Sequence, residues 1–391
     1  MNGSGLADQV GVSREAVSNW LSGQSIPRPK ALKAIAEALR AQPVELFQAR
    51  AVADEPVIAY RTVERKPVSA EAMSAGHDAA RHLQTLLPHV GIAASVPPRR
   101  LSNPTADASC AREAAELVRR EIAHAPGEKL DVDTLLNALR LYGALLVPVL
   151  WGRGQAGEGN ALSISDPKSN TFWVLLNLDC LAEDFRYWIS HELGHCLSLH
   201  ELRGDEAEAF AEAFAQHLLF PDELAEQCLK QMDASDDRIA IAERWARELG
   251  LSSLTPIRCV QRLAEERNLL CEKLDTNEFF DAWRQQRESA PTIAEEFFGS
   301  DMVAIEPYVE LAETKFASPV FKALGLYQKA RGGKDAAFIA RALNINVGEA
   351  VELATHLWKR ATAPSADSHQ TTAHAERASP TAATHPPAAS A

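Results

Sequence analysis

The sequence has neither a long apolar run nor paired cysteines. No hydrophobic stretch approaches the ~20 residues of a membrane-spanning helix, and the first residues lack the apolar segment of a signal peptide. The six cysteines are scattered without a C-x-x-C pair, which argues against a disulfide framework and against a structural zinc site. We therefore expect a cytoplasmic protein with no membrane partner and with free, mostly buried thiols.

The composition is that of an ordinary globular protein. Hydrophobic residues make up 46% of the 391 positions and charged residues 24%. A chain of this length predicts two to four domains. Its glycine-rich stretch GRGQAGEGN lacks the Lys-Ser/Thr ending of a phosphate-binding loop, so no nucleotide site is predicted there.

Acidic charge dominates the chain but not its first fifty residues. The net charge is −13, yet residues 1–50 carry six basic against four acidic side chains, which is +2 and leaves −15 for the remainder. A phosphate backbone attracts basic surfaces and repels acidic ones. Only residues 1–50 have a charge balance suited to nucleic acid.

The stretch FRYWISHELGHCLSLH contains the pattern H-E-x-x-H, formed by His191, Glu192 and His195. Residues four apart lie on one face of a helix, so the two imidazoles can bind one metal ion. Glu192 would then lie near a water bound to that metal and could act as general base. The pattern predicts a zinc peptidase site; the alternative is a helix with two half-buried histidines.

A third ligand is predicted in the helix that follows. Gly204 signals a turn, and a second helix is expected from about Asp205 to Leu219. In an antiparallel pair, residues equidistant from the turn lie level, which brings Glu208 opposite His195. Glu212, one turn later, could accept a hydrogen bond from a ligand histidine. Asp205 and Glu206 are the alternative ligands.

FRYWISHELGHCLSLH followed by EAFAEAFAQHLLFP resembles the ImmA/IrrE-type metallopeptidases. Alignment backwards from Pro221 places the glutamate ligand of that family on Glu208. The Asn or Asp of the family falls on Glu212, a departure. The Asn that ends the preceding strand is matched by Asn177. The resemblance covers about residues 106–221 and implies a zinc ion, with Mn²⁺ as an alternative metal.

The N-terminal stretch LADQVGVSREAVSNWLSGQSIPRPKALKAIAEAL resembles the XRE-type helix-turn-helix, beginning at the second helix of that family so that the first is truncated. A helix ending at Gly11, a second over Ser13–Leu21 and a third from about Pro29 are expected. The resemblance implies that the second of these enters the major groove of DNA. Candidate DNA-binding residues are Ser13, Arg14, Glu15, Ser18, Asn19, Gln24 and Lys30. Its predicted core comprises Ala7, Val10, Val17, Trp20, Leu32, Ile35 and Leu39. The alternative is a helical module for protein contacts.

The rest of the chain predicts an α+β, mainly α, fold. We expect a helix-turn-helix domain (1–50), a connector (51–105), a zincin-like metallopeptidase domain with a small antiparallel sheet (106–235), a helical C-terminal domain (236–360) and a disordered tail (361–391). The acidic helix pair in AAFIARALNINVGEAVELATHLW suits packing or homodimerisation better than DNA contact.

Strand addition is the expected mode of substrate binding. TFWVLLNL, at 171–178, runs directly into the predicted helix of the H-E-x-x-H pattern, which we call the metal helix. This stretch is the first candidate for an edge strand that pairs with the substrate. Its continuous apolar run is also typical of a central strand. In that case the substrate is expected on ALSISD, at 161–166.

Two functions are compatible with these features. The first is a zinc-dependent endopeptidase fused to a DNA-binding module, and the resemblance implies that its substrate is a transcriptional repressor controlling stress or mobile-element genes. The second is a DNA-binding transcription regulator whose metal site is structural or sensory. Glu192 favours the enzyme, because a site that only binds metal does not need this carboxylate.

Overall fold

The N-terminal segment forms three short helices in the computed structural model, which describes residues 3–21, 27–39, 55–60, 69–123, 125, 127–151, 160–300 and 302–363. Helix α1 (Gly3–Val10) packs against α2 (Arg14–Leu21) and α3 (Pro29–Leu39). Gly11 has a φ of 72°, which lets the chain leave α1 sharply. The Ser13 hydroxyl accepts a hydrogen bond from the Ala16 amide at 3.1 Å and so caps α2.

The predicted core of this segment is confirmed in its centre. Ala7, Val17 and Ile35 are buried, and so is Ala36, which was not predicted. Val10, Trp20 and Leu32 are partly buried. Leu39 was predicted wrongly, because its side chain is 45% exposed at the last residue of α3.

The described residues include a four-stranded sheet. The strands are β1 (Val57–Tyr60), β2 (Ala144–Val149), β3 (Ala161–Asp166) and β4 (Thr171–Asn177), in the spatial order β1-β3-β4-β2. β3 pairs antiparallel with β1 and with β4. Every residue of β2, β3 and β4 is buried, because helices cover the sheet.

The α+β, mainly α, class is confirmed, but the prediction of an antiparallel sheet was wrong for one pair: β2 and β4 are parallel. β3 and β4 pair antiparallel, and β4 lies between β3 and β2. β4 is therefore a central strand, the alternative to an edge strand that its apolar run indicated. Pro148 is consistent with an edge position for β2, since proline cannot donate to a ladder.

Two antiparallel helices pack against the sheet and against each other. Three helices precede this pair in the chain: α4 (Ala70–Val90), α5 (Ala108–Ile122) and α6 (Val132–Leu141). The pair itself consists of α7 (Ala182–Ser198) and α8 (Gly204–Leu219). α7 rests on β3 and β4, and α8 also contacts α5 and β1. Gly204, with a φ of 50°, opens α8 after the short turn.

The start of α7 is held by residues about one hundred positions further along the chain. The backbone around Thr292 bonds to the segment before α7: the Ile293 amide donates to the Cys180 carbonyl at 3.0 Å and the Ala294 amide to the Leu178 carbonyl at 2.7 Å. Arg287 forms ion pairs with Glu183 and Asp184 in the first turn. These contacts fix where the metal helix begins.

The remaining helices extend the same core to the C-terminus. They are α9 (Asp222–Asp233), α10 (Arg238–Leu249), α11 (Leu254–Glu266), α12 (Asn277–Arg287), α13 (Ile293–Phe298), α14 (Ile305–Thr314), α15 (Val320–Arg331), α16 (Ala336–Leu343) and α17 (Val347–Thr362). Helix α4, from the predicted connector, packs against α15 and α16. One hydrophobic cluster runs from Ala59 to Leu357, across the proposed boundaries at 105/106 and 235/236.

A charged cluster joins α8 to the helices after it. Asp222 opens α9 and accepts a hydrogen bond from Arg262 at 2.7 Å; His217 lies at 3.4 Å and Arg112 at 3.5 Å. The hydrogen bond with His217, together with Arg262, lowers the pKa of Asp222 well below its usual value, against the opposite effect of burial. Ionised Asp222 therefore links α9 to α5, α8 and α11.

Two other expectations concern the thiols and the membrane. All six cysteines are free, as predicted. Cys196, beside a proposed ligand, points its thiol to the Tyr142 carbonyl, and burial raises its pKa to about 12.

No helix in the described part of the chain is long and apolar enough to cross a membrane. The predicted disordered tail lies almost wholly outside the described residues, which end at 363.

Candidate metal centre

The two histidines of the H-E-x-x-H pattern lie side by side on the buried face of α7. His191 and His195 are 0% and 1% exposed, and their ring centroids are 4.6 Å apart. This placement follows from their spacing of four residues on a helix. The two Nε2 atoms point toward the neighbouring helix α8.

A glycine allows α8 to approach this face. A Cβ atom built on Gly194 would lie 2.9 Å from the Cα atom of Ala211 and 3.2 Å from the Phe214 ring. Any larger residue at position 194 would therefore meet the backbone of α8. The close approach brings the Glu208 carboxylate to both histidines.

The three proposed ligands meet at distances suited to one metal ion. The Nε2 atom of His191 is 3.3 Å from Oε2 of Glu208, and Nε2 of His195 is 3.1 Å from Oε1. All three ligand atoms lie within 4.8 Å of one another. Two atoms bound ~2.1 Å from a tetrahedral zinc ion would be about 3.4 Å apart. The donor set of two imidazoles and one carboxylate thus fits Zn²⁺ in chemistry and in spacing.

The ionisation state of Glu208 also suits a ligand. Burial alone would raise its pKa, but hydrogen bonds and charge interactions with His191 and His195 hold the pKa of this carboxyl well below its usual value. The alternative ligands Asp205 and Glu206 are exposed in the first turn of α8 and lie outside this cluster.

Glu192 lies beside the ligands and contacts the sheet. Its side chain is 1% exposed, and Oε2 accepts a hydrogen bond from the hydroxyl of Ser163 in β3. Ser163 was not singled out from the sequence. The alternation Ser163, Ser165 in a strand that is otherwise apolar was the available signal, since a buried hydroxyl needs a hydrogen-bond partner.

Two aromatic residues border the site on the N-terminal side. Tyr187, one turn before His191, stacks on its ring at 6.3 Å, and Trp188 meets it edge-on at 6.2 Å. Both residues also line a cavity of about 420 Å³ together with Trp283, Phe280 and Arg258. This cavity opens next to the metal helix and is large enough for one side chain of a peptide.

Two further residues named from the resemblance have definite positions. Glu212 lies one turn after Glu208 and is partly buried; its role as an acceptor for a ligand histidine stays a prediction. Asn177 ends β4 and is fully buried, and its side-chain oxygen accepts hydrogen bonds from the Trp151 amide at 3.3 Å and the Asp179 amide at 3.0 Å. It therefore fixes the path of the chain from the sheet towards the metal helix.

The proposed DNA-binding residues lie mainly on α2. Arg14, Glu15 and Ser18 are exposed there, Asn19 is partly buried, and Lys30 is exposed in the first turn of α3. Gln24 lies outside the described residues. Ser13 is committed to the helix cap, although its hydroxyl remains exposed. Arg14, Glu15 and Ser18 lie on one side of α2, and the entry of this side into a groove of DNA stays a prediction.

Comparison with known protein families gives two matches, at the two motifs. Residues 4–46 match a family described as helix-turn-helix, and residues 170–255 match the IrrE N-terminal-like domain of a peptidase family. No curated protein and no solved structure shows significant similarity to the chain. The first match indicates DNA-binding regulation, and the second indicates a peptidase. The chain therefore contains a helix-turn-helix match and an IrrE N-terminal-like match, the combination predicted from its two motifs.

Proposed function

We propose that this protein is a zinc-dependent endopeptidase whose substrate is a transcriptional repressor protein, and that its helix-turn-helix domain binds DNA. The observation that carries the proposal is the meeting of His191, His195 and Glu208 around one point, with the Glu192 carboxylate beside them. The IrrE-like match over residues 170–255 supports it, because that stretch contains all four side chains.

The chemistry divides between the ion and the protein. When bound, the ion supplies Lewis acidity for amide hydrolysis; Zn²⁺ is our first choice and Mn²⁺ the alternative. His191, His195 and Glu208 would hold it. Glu192 takes a proton from the attacking water and delivers it to the leaving amide nitrogen. The Ser163 hydroxyl donates to Glu192 and so fixes the direction in which that carboxylate points.

The surroundings of the proposed metal centre support cleavage within an extended segment of a protein substrate. The proposed ligand histidines are buried, which restricts the access of water to them. The cavity lined by Trp188 and Trp283 lies beside the metal helix and can receive a large side chain near the scissile bond. A DNA-binding partner domain in the same chain places the enzyme near repressors bound at the same genes.

The variant Glu192→Gln tests the catalytic part. It keeps the shape of the side chain but cannot take a proton, so it should retain one zinc ion per chain and lose proteolysis by about 10²-fold or more. Glu206→Gln, an exposed carboxylate in α8, is the matched control and should cleave normally. Purification of Glu192→Gln from cells should also recover the uncut substrate.

The alternative function makes the opposite prediction. A DNA-binding regulator with a structural or sensory metal site would regulate its genes equally well with Gln at position 192. Normal gene regulation by Glu192→Gln, combined with no cleavage by the wild-type protein, would reject the peptidase and favour the regulator.

A further inference from the structure

Strand β3 is the element of the sheet that faces the proposed catalytic carboxylate. Ser163, in the middle of β3, donates a hydrogen bond to Glu192, and α7 packs directly on β3. On one side β3 is paired with β4. The opposite side of β3 is the sheet position nearest to the site at which an extended peptide could add as a strand.

This position is filled by β1, from the segment between the helix-turn-helix and the peptidase. β1 pairs antiparallel with β3, and Ala59 lies directly opposite Ser163. Side chains of directly paired residues share one face of the sheet, with Cβ atoms about 4.5–5.5 Å apart. Ala59 is 7% exposed, and β1 also contacts α8, the helix that carries Glu208.

The pattern of β1 shows which side chains fit. Val57 and Ala59 face the same side as Ser163, and Ile58 faces the other. A small residue therefore stands opposite Ser163, with apolar residues around it. Carboxylates at positions 57 and 59 would have to be desolvated against this apolar surface, which destabilises the pairing of β1.

A tethered strand is an effective competitor. Only residues 61–69 separate β1 from α4, and a short tether gives a local concentration on the order of millimolar. β1 itself has four residues and pairs with one neighbour among the described strands. It can thus be displaced without breaking the β3–β4–β2 part of the sheet.

We propose that β1 occupies the edge of β3 at which a peptide substrate would pair. The chain is then an inactive peptidase until β1 leaves this edge. The ligand of this edge is an extended apolar peptide with a small residue opposite Ser163, bound antiparallel to β3 in place of β1. The inference rests on the proposed function for its consequence in catalysis, but the competition for the edge is a property of the strands alone.

The experiment measures peptide binding without turnover. The probe is a fluorescein-labelled peptide of sequence EPVIAY, the chain's own residues 55–60, added to the full-length Glu192→Gln protein with and without zinc. The double substitution Val57→Asp/Ala59→Asp should release β1 and increase the affinity for the peptide at least tenfold. Glu55→Gln, exposed and outside the paired residues, is the control and should leave the affinity unchanged.

A second variant protects the test against misfolding. If the double aspartate variant does not melt cooperatively, Ile58→Pro and Ala59→Pro replace it. Adjacent amides point to opposite sides of a strand, so one of the two prolines removes a hydrogen bond to β3 without placing a charge near the site. The peptide should also slow hydrogen exchange in β3 in the strand variant. In the chain with active Glu192, the same variant should cleave an added peptide at least tenfold faster than wild type.

The outcomes separate this inference from the proposed function. Equal peptide affinity in all chains would overturn the inference, and so would cleavage of the wild-type chain within residues 57–60, which would make β1 a substrate. Tighter peptide binding by the strand variant with no cleavage by any zinc-loaded chain would uphold the inference and reject the peptidase.

Discussion

Gly194→Ala tests whether close packing of α7 and α8 assembles the metal centre. The added Cβ would lie 2.9 Å from the Cα atom of Ala211. Carbon atoms prefer a separation of ~3.5 Å or more, so α8 must move by roughly 0.6 Å. Because the obstacle is backbone, no side-chain rotation can relieve it. The helix that carries Glu208 therefore moves away from the histidines.

The size of this movement decides which measurement is informative. Overpacking costs about 1–3 kcal/mol, whereas alanine in a helix is favoured over glycine by about 1 kcal/mol, so the net loss of stability is only about 0–2 kcal/mol. Metal–ligand distances, in contrast, tolerate about 0.2 Å. A movement of roughly 0.6 Å exceeds that tolerance, and we expect zinc affinity to fall about 10–100-fold.

Zinc affinity is measured by competition with a chromophoric chelator, and stability by urea denaturation of the metal-free protein. Gly333→Ala is the matched control: no atom lies within 4 Å of its added Cβ, and its φ is not in the left-handed region. It should bind zinc as the wild type does. If Gly194→Ala folds and keeps the wild-type zinc affinity, the approach of α8 does not position Glu208, and the reasoning fails.

Three further predictions concern the ligand, the DNA and the pH dependence of stability. Glu208→Ala should weaken zinc binding in metal analysis whereas Glu206→Ala should not, and the reverse result would reassign the ligand. Arg14→Ala should lower DNA affinity and reduce its salt dependence in a titration of fluorescent DNA; an unchanged salt slope would argue against a phosphate contact. Asp222→Asn should reduce the free energy of unfolding by about 1–3 kcal/mol at pH 7. Because the pKa of Asp222 is lowered in the fold, its contribution is complete above the unfolded value of ~3.9 and fades as pH falls below it, so urea denaturation at pH 3 should show a smaller difference.

The positions of the proposed metal-binding side chains could be predicted because they depend on local geometry. The four-residue spacing of His191 and His195 sets their common face, and the short turn at Gly204 sets which carboxylate lies level with them. Both are properties of adjacent helices. The structure places Glu208 at 3.1–3.3 Å from the two imidazoles, as this reasoning expected.

The neighbours of Glu192 could not be predicted, because they depend on the order of strands. A buried strand shows the same apolar run whether its neighbour is parallel or antiparallel. The apolar run indicated that β4 could be central, but the sequence did not reveal its parallel pairing with β2. Nor did it reveal that VIAY, at 57–60, joins the sheet from a segment interpreted as a connector. Ser163 could be recognised as a partner of Glu192 only once β3 was placed under α7.

The clamp between the start of α7 and residues 291–294 has a consequence for the order of synthesis. Ile293 and Ala294 bond to the backbone just before the metal helix, and Arg287 holds its first turn. Ribosomes add about 5–20 residues per second, so these partners emerge roughly 5–20 s after Glu192. During that interval a nascent chain has both histidines but not the clamp that fixes their helix. The helix that carries the proposed metal ligands thus receives its last supporting contacts only after about one hundred further residues have been made.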